Sequence, residues 1–218
     1  MKVTYYLEIL SSWCHWAEPM WAELKSRYAG RVEFEWRLAL MRQEDFPVSK
    51  GQCEWFYRRS GGTVMRSAVM LNSGWYENRS DRFCNPSLVA EAGRDFGFSD
   101  DTLRLALARA AVIAGRKVGA MAEAVAVASR ASGIPAKKLR ARAETAAIRA
   151  RVDASPAEFL SHRITQRPAF ILEDAIGDKA VFSGIVRIEP LAATIEAMLS
   201  DTASYAAHAA HHGSPPKG

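Results

Sequence analysis

The stretch that decides the fold is residues 11–19, SSWCHWAEP. It follows an apolar run, residues 3–10, whose aromatic and β-branched side chains are typical of a strand. It leads into residues 20–28, where apolar residues recur at helical spacing. A strand that turns into a helix presents the free backbone N–H groups and the positive dipole end of that helix at the turn. Because such a place favours anions, including a thiolate, the sequence points to thiol chemistry at this turn.

The chain after this helix predicts a βαβ unit. Gly30 ends the helix, and residues 32–38 alternate apolar and charged side chains, which is typical of a strand with one buried face. A strand, a helix and a strand at this spacing favour two parallel strands.

Residues 41–83 have a looser pattern, interrupted by proline and glycine and rich in aromatic and basic residues. Residues 52–59 predict a short helix. A long, weakly regular segment in a compact domain is usually functional, as a lid or a pocket wall. The alternative, a surface loop with aromatic side chains packed beneath it, stays open.

The second half of the chain predicts a helical block followed by a hairpin and a last helix. Alanine and aliphatic residues at helical spacing dominate residues 85–155. The predicted helices are 88–96, 102–114, 119–131, 135–152 and a short one from 155 to about 162. Residues 168–172 and 180–183 predict a β-hairpin, and residues 189–199 an amphipathic helix. Residues from 201 onward predict a frayed tail.

Composition excludes several classes of protein. The 218 residues are 49% hydrophobic, with a formal charge of +5 that is scattered along predicted helices. That scatter predicts solvated helix faces and no nucleic-acid groove. No apolar run is long enough to span a bilayer, and the N-terminus lacks a signal-peptide pattern, so we expect a cytoplasmic protein without a membrane partner. Three widely spaced cysteines argue against a disulfide framework and against a zinc site with paired cysteines, so no metal is expected.

The order β-α-β, helical block, β-β-α resembles the DsbA-like family of the thioredoxin superfamily over residues 3–199. Glu8 matches the acid that often precedes the family's Cys-x-x-Cys motif, and residues 11–14 match the motif itself. Residues 166–170 look like the segment that holds the family's cis-proline, and residues 182–184 match the end of the last strand. The resemblance implies an α/β thioredoxin-like fold with an inserted helical domain. The thioredoxin-like domain would comprise residues 1–83 and 163–200, the inserted helical domain residues 84–162, and a flexible tail residues 201–218.

The motif differs from that of the redox members, because Ser11 stands where the first cysteine should be and only Cys14 remains. A two-cysteine cycle therefore cannot run here. Kappa-class glutathione transferases and hydroxychromene-carboxylate isomerases carry a serine at this turn, and the chain is similar to them in this respect. The similarity implies that Ser11 steadies the thiolate of bound glutathione or another small thiol, with Ser12 and Trp13 beside it. The backbone of Arg167 and the cis-Pro168 would hold the thiol's main chain.

The same resemblance implies further partners. Asn72, Ser73 and arginines of residues 41–83, the middle segment, are candidates to bind the carboxylates of the thiol. An arginine suits this role because its planar fork binds a carboxylate bidentately. The second substrate would be a small electrophile, and a homodimer is compatible with the clan.

Each of these assignments has a structural alternative. Ser11 is also a favoured helix cap, and Cys14 is either a reactive thiol or a small buried hydrophobe whose motif position predicts low exposure. His15 either tunes a thiolate, acts as a general base, or simply packs. Cys53 or Cys84 could form a disulfide with Cys14 only if the fold brings the two cysteines within bonding distance. Three functions follow: a glutathione-dependent transferase, isomerase or reductase; a monothiol oxidoreductase that uses Cys14; and a catalytically silent binding module.

Overall fold

A four-stranded mixed sheet in the order β2-β1-β3-β4 forms the centre of the protein. The structure is a computed structural model that describes residues 1–77, 81–184 and 186–213. Its strands are β1 (Lys2–Leu7), β2 (Glu33–Leu38), β3 (Ala169–Glu173) and β4 (Lys179–Ser183). Its helices are α1 (Ser12–Arg27), α2 (Lys50–Tyr57), α3 (Asn85–Arg94), α4 (Thr102–Val112), α5 (Met121–Ser132), α6 (Ala136–Ala143), α7 (Ala146–Ser161) and α8 (Ile188–His212).

The predicted βαβ unit and hairpin are confirmed. Strand β1 pairs with β2 in parallel, and β3 pairs antiparallel with both β1 and β4. Strand β1 lies inside the sheet, and the burial of five of its six residues explains its continuous apolar run. The rings of Tyr5 and Phe170, on neighbouring strands, stack with centroids 4.8 Å apart. This packing holds β1 in place. The turn that follows β1 leads into α1 and contains Ser11.

A buried arginine joins α1 to the helical block. Arg104 of α4 is only 1% exposed and donates from Nη1 to Glu18 Oε1 at 2.6 Å and from Nε to Asp101 Oδ1 at 2.9 Å. Removing one partner of such a buried pair typically costs several kcal/mol, because it leaves a charge unpaired. The axis of α1 is therefore held by the helical block as well as by the sheet.

The predicted break in the helical block was wrong. The sequence predicted one helix over 135–152 and a new one from Ser155, but the chain breaks at Glu144–Thr145, and Pro156 lies inside α7. Thr145 caps α7 by accepting from the Ile148 N–H. Proline has no N–H to donate to the carbonyl four residues back, and the Ser155 hydroxyl donates to that carbonyl, of Val152, at 2.8 Å instead.

The predicted frayed tail was also wrong over residues 201–212. Helix α8 continues past residue 199 to His212 and ends at Gly213, which has a φ of 75°. Its final turns are exposed but rich in alanine, the strongest helix former, so local propensity sustains them without a buried face. Residues 214–218 of the predicted tail lie outside the described part. The proposed division into domains stays a prediction.

Candidate functional site

Ser11 begins α1 as its N-cap. The Ser11 Oγ accepts a hydrogen bond from the Cys14 N–H at 3.4 Å, and the Ser11 N–H donates to the Glu8 carbonyl at 3.0 Å. The first-turn N–H groups of a helix otherwise lack intrahelical partners, and they carry its positive dipole end. Ser11 therefore stands at a place where a negative charge is stabilised.

This helix end opens on a cavity of about 590 Å³. Ser11, Ser12 and Trp13 form part of its wall. The charged lining residues are Arg42, Asp45, Arg59 and Arg167, and the other aromatic ones are Phe46, Phe56, Tyr57 and Trp75. Its size and its mainly apolar wall with a few polar groups suit a small-molecule site.

The segment before β3 lines the same cavity as Ser11. The Arg167–Pro168 peptide bond is cis, as the sequence predicted. The Arg167 guanidinium donates from Nη2 to the Leu40 carbonyl at 3.0 Å, contacts the Ala39 carbonyl through Nε, and stacks 4.7 Å from the centroid of Phe159. Within the described residues, the backbone N–H and C=O of Arg167 have no hydrogen-bond partner. The side chain is thus structural, and the main chain remains available to a ligand.

The sequence matches no protein-family model and no curated protein sequence, but several solved structures share its fold. It is similar to a Nitrosomonas europaea protein proposed to be a protein disulfide isomerase, with a TM-score of 0.69 at 15% identity over 92% of this chain and 98% of the other. The fold is DsbA-like. Cytosolic disulfide reductase DsbM from Pseudomonas aeruginosa, in a structure with GSH, gives a TM-score of 0.66 at 15% identity over 92% and 100% of the two chains. A 2-hydroxychromene-2-carboxylate isomerase gives a TM-score of 0.66 at 13% identity, over 94% of this chain and 99% of the other.

Cys14 is sealed beneath the first turn of the DsbA-like fold's α1. It is 2% exposed, and its sulfur accepts from the Glu8 N–H at 3.4 Å. Burial raises the pKa of the Cys14 thiol to about 11, because a thiolate is poorly solvated there. The group is therefore a neutral, inaccessible thiol at physiological pH.

Glu8, the acid that precedes the motif, is fully buried beside this thiol. Its carboxyl group accepts from the Leu10 N–H at 3.4 Å and from the Met41 N–H at 3.1 Å. Burial nevertheless raises the pKa of Glu8 to about 7. The sequence signal for this group was a single carboxylate at the end of an otherwise apolar run, and we did not predict it as a site residue.

Five predicted site residues do not line the cavity: Cys14 and Pro168, which are buried, and His15, Asn72 and Ser73. The His15 ring packs edge-on against Trp16 with centroids 5.4 Å apart, and burial followed by the nearby Arg109 lowers its pKa. Asn72 is exposed and caps a short 3₁₀ turn by accepting from the Gly74 N–H at 2.8 Å. The Ser73 hydroxyl donates to Glu54 Oε1 at 2.9 Å. The His15 N–H donates to the Ser11 carbonyl at 3.0 Å within α1, but the side chains of His15, Asn72 and Ser73 lie outside the cavity lining.

The middle segment supplies cavity residues that the sequence reasoning named only as a class. Arg59 lines the cavity, and its guanidinium lies 4.9 Å from the Trp55 ring centroid and 5.1 Å from that of Phe56. Among the described residues, Arg59 has no acidic partner, whereas Arg42 forms ion pairs with Glu44 and Asp45. Arg59 is therefore the cavity arginine best placed for an external anion. Cys53, also in the wall, is buried, and burial raises its pKa to about 11.

The described residues contain neither a metal-binding group nor a membrane-spanning helix. No group of three or more histidine, cysteine or acidic side chains among them is placed to hold a metal ion. No helix within 1–77, 81–184 or 186–213 is both long and apolar enough to cross a membrane. Cys14 and Cys53 are free thiols.

Proposed function

We propose that the protein is a glutathione-dependent enzyme, in which Ser11 holds the thiolate of glutathione for attack on a small electrophile. The observation that carries the proposal is a serine hydroxyl at a helix N-terminus in the wall of a 590 Å³ cavity. The chemistry would be conjugation, isomerisation or reduction, with the protein acting as a transferase, isomerase or reductase.

The hydrogen bonding of Ser11 supports this role. Its oxygen accepts from the Cys14 N–H, and its proton, whose partner within the protein is the weakly accepting Cys14 thiol, can be donated instead to a thiolate sulfur in the cavity. A donor that is itself polarised by a backbone N–H is a better donor, because the two hydrogen bonds reinforce one another. The helix dipole adds a positive partial charge at the same place, which favours the thiolate over the thiol.

The rest of the tripeptide has candidate partners in the same cavity. The unpaired main chain of Arg167, next to the cis-proline, suits the backbone of the thiol's cysteine residue. Arg59 suits a carboxylate, since its guanidinium is held in place by two aromatic rings and has no acidic partner in the described part of the chain. The GSH in the structure of DsbM supports a small thiol as the ligand of this fold.

The two rival functions have less support. A monothiol cycle through Cys14 needs an accessible thiolate, whereas this thiol is 2% exposed with a pKa of about 11. A silent binding module would have a site filled by packed side chains, whereas the wall at Ser11 borders open space.

Isothermal titration calorimetry with glutathione, together with turnover of Ser11→Ala, tests the proposal. We expect the wild type to bind glutathione, and Ser11→Ala to lose roughly tenfold or more in kcat/KM, because one charge-assisted hydrogen bond is worth about 1.5–3 kcal/mol. The pKa of the bound thiol, read from its thiolate absorbance, should rise in the variant.

Ser49→Ala is the matched control. Ser49 caps α2 as Ser11 caps α1, accepting from the Gln52 N–H at 3.1 Å, but it does not line the cavity. The Ser49→Ala variant should lose about as much folding stability as Ser11→Ala, without any change in glutathione affinity. Absence of binding heat with the wild-type protein would overturn the proposal.

A further inference from the structure

The charged side chains of the cavity wall form one ion pair and one unpaired charge. Arg42 and Asp45 pair with each other, whereas Arg59 has no acidic partner in the described part of the chain. The guanidinium of Arg167, the fourth charged group, is engaged by backbone carbonyls. Among the lining residues that the structure describes, Asp45 is also the one acid. The cavity therefore offers a place with both charges side by side and a separate place with a positive charge alone.

The Arg42–Asp45 pair is fixed in direction but open to a ligand. The two residues flank a short 3₁₀ turn, Gln43–Asp45, and the Arg42 N–H donates to Asp45 Oδ2 at 3.3 Å. The Arg42 guanidinium donates from Nε to Oδ2 and from Nη2 to Oδ1, each at 3.4 Å. These hydrogen bonds are long, and the side chains of Arg42 and Asp45 are 68% and 36% exposed. Both groups therefore keep hydrogen-bonding capacity for a molecule in the cavity.

A guanidinium beside a carboxylate is complementary to an α-amino acid group, which carries a carboxylate and an ammonium on one carbon atom. The guanidinium binds the carboxylate of such a group, and the aspartate accepts hydrogen bonds from its ammonium. Glutathione has this group at its γ-glutamyl end and a lone carboxylate at its glycyl end. Its charges therefore match the Arg42–Asp45 pair and the unpaired Arg59.

We propose that Arg42 and Asp45 form the subsite for the γ-glutamyl end of the thiol, with Asp45 binding the α-ammonium and Arg42 the α-carboxylate. Arg59 then binds the glycyl carboxylate. This inference rests on the proposed function, and it identifies the class of the thiol. Small thiols without an α-amino acid group at this end leave Asp45 without its ligand partner, so the subsite discriminates against them.

A cycle of two proteins and two ligands isolates the contact of Asp45. Glutaryl-cysteinylglycine is glutathione without its α-amino group, and the two ligands share the thiol and both carboxylates. In calorimetry at pH 7, the wild type should bind glutathione roughly fivefold to tenfold more tightly, an effect between those of an exposed ion pair and a charge-assisted hydrogen bond. Asp45→Asn keeps an acceptor for the Arg42 N–H but loses the charge, so the preference should fall to within about twofold. Arg42→Gln should weaken the binding of both ligands, since both keep the carboxylate.

Glu44→Gln is the control for a general effect of charge. Glu44 also pairs with Arg42, at 3.3 Å, and is exposed, but it does not line the cavity. This variant should keep the wild-type preference for glutathione.

Three results would each overturn the role of Asp45: equal affinity of the wild type for the two ligands, an unchanged preference in Asp45→Asn, or a loss of the preference in Glu44→Gln. Unchanged affinities in Arg42→Gln would overturn the role of Arg42. A wild type that binds neither ligand would instead overturn the proposed function, so the two failures are distinguishable.

Discussion

Helices α1 and α2 begin in the same way and have different surroundings. Each starts with a serine whose Oγ accepts from the backbone N–H three residues later, at 3.4 Å for Ser11 and 3.1 Å for Ser49. Ser49 is exposed to solvent, whereas Ser11 is half-buried in a cavity wall above the buried Glu8 and Cys14. Solvent screens the dipole of an exposed helix end, but a cavity with low-dielectric walls does not. The local motif is therefore a cap in both places, and the surroundings make one of them a candidate site.

The largest expected effect that distinguishes the two helix ends concerns Glu8. Its carboxyl titrates near 4.5 when unfolded and at about 7 when folded, so the folded state binds the proton more tightly. The stability from this proton is fully present below pH 4.5 and is lost as the pH rises to about 7. The loss amounts to about 3 kcal/mol, at 1.36 kcal/mol per pKa unit.

Glu8→Gln should remove most of this pH dependence. Urea unfolding of both proteins at pH 4.5 and pH 8 measures it, and the difference between the two pH values should be about 3 kcal/mol smaller in the variant. Equal differences in the two proteins would contradict the buried, proton-binding state of Glu8.

The next effect separates capping from hydrogen-bond donation. Ser11→Asp retains an acceptor for the Cys14 N–H, so its free energy of unfolding should lie within about 1 kcal/mol of the wild-type value. It removes the hydroxyl proton and adds a negative charge, so glutathione affinity measured by calorimetry should fall roughly tenfold or more, which is 1.4 kcal/mol or more. Ser49→Asp should leave both quantities near wild-type values. A glutathione affinity that survives in Ser11→Asp would mean that Ser11 is a cap alone.

The smallest expected effect on activity is that of Cys14→Ala. Removing a buried sulfur should destabilise the fold by about 1–2 kcal/mol through lost packing. Turnover by folded protein, well below the melting temperature, should stay within about twofold, since the thiol lies outside the cavity lining. If Cys14→Ala lost activity while still binding glutathione, the monothiol cycle would be favoured, with Cys14 rather than Ser11 as the catalytic group.

The order of elements was predictable because their periodicity is local. The apolar run of β1, the amphipathic α1 and the 169–183 hairpin carry their patterns within a few residues. The errors came where one local signal competed with another. Pro156 predicted a helix start, but the Ser155 hydroxyl satisfies the carbonyl that this proline leaves open. The described tail beyond residue 200 buries no side chain, yet its alanines sustain a helix.

The site was predictable only in part. Ser11, Ser12, Trp13 and Arg167 were named and do line one cavity, because the turn and the proline segment carry recognisable residues. Asn72 and Ser73 were named from the resemblance to glutathione-binding proteins, and their side chains bond within the protein instead. Tyr57 and Arg59 were indistinguishable in sequence from other aromatic and basic residues near them.

The sequence by itself determined the strand-to-helix turn, the oxygen of Ser11 in place of a sulfur, and the neighbouring proline, since each depends on residues adjacent along the chain. Only the tertiary structure decided that Cys14 is sealed, that the buried Glu8 carboxyl lies beside it, and that Trp75 and Tyr57, from separate segments, form one hydrogen-bonded pair in the cavity wall. The reason is that burial and desolvation depend on which distant segments meet, and a pattern along the chain does not specify those contacts.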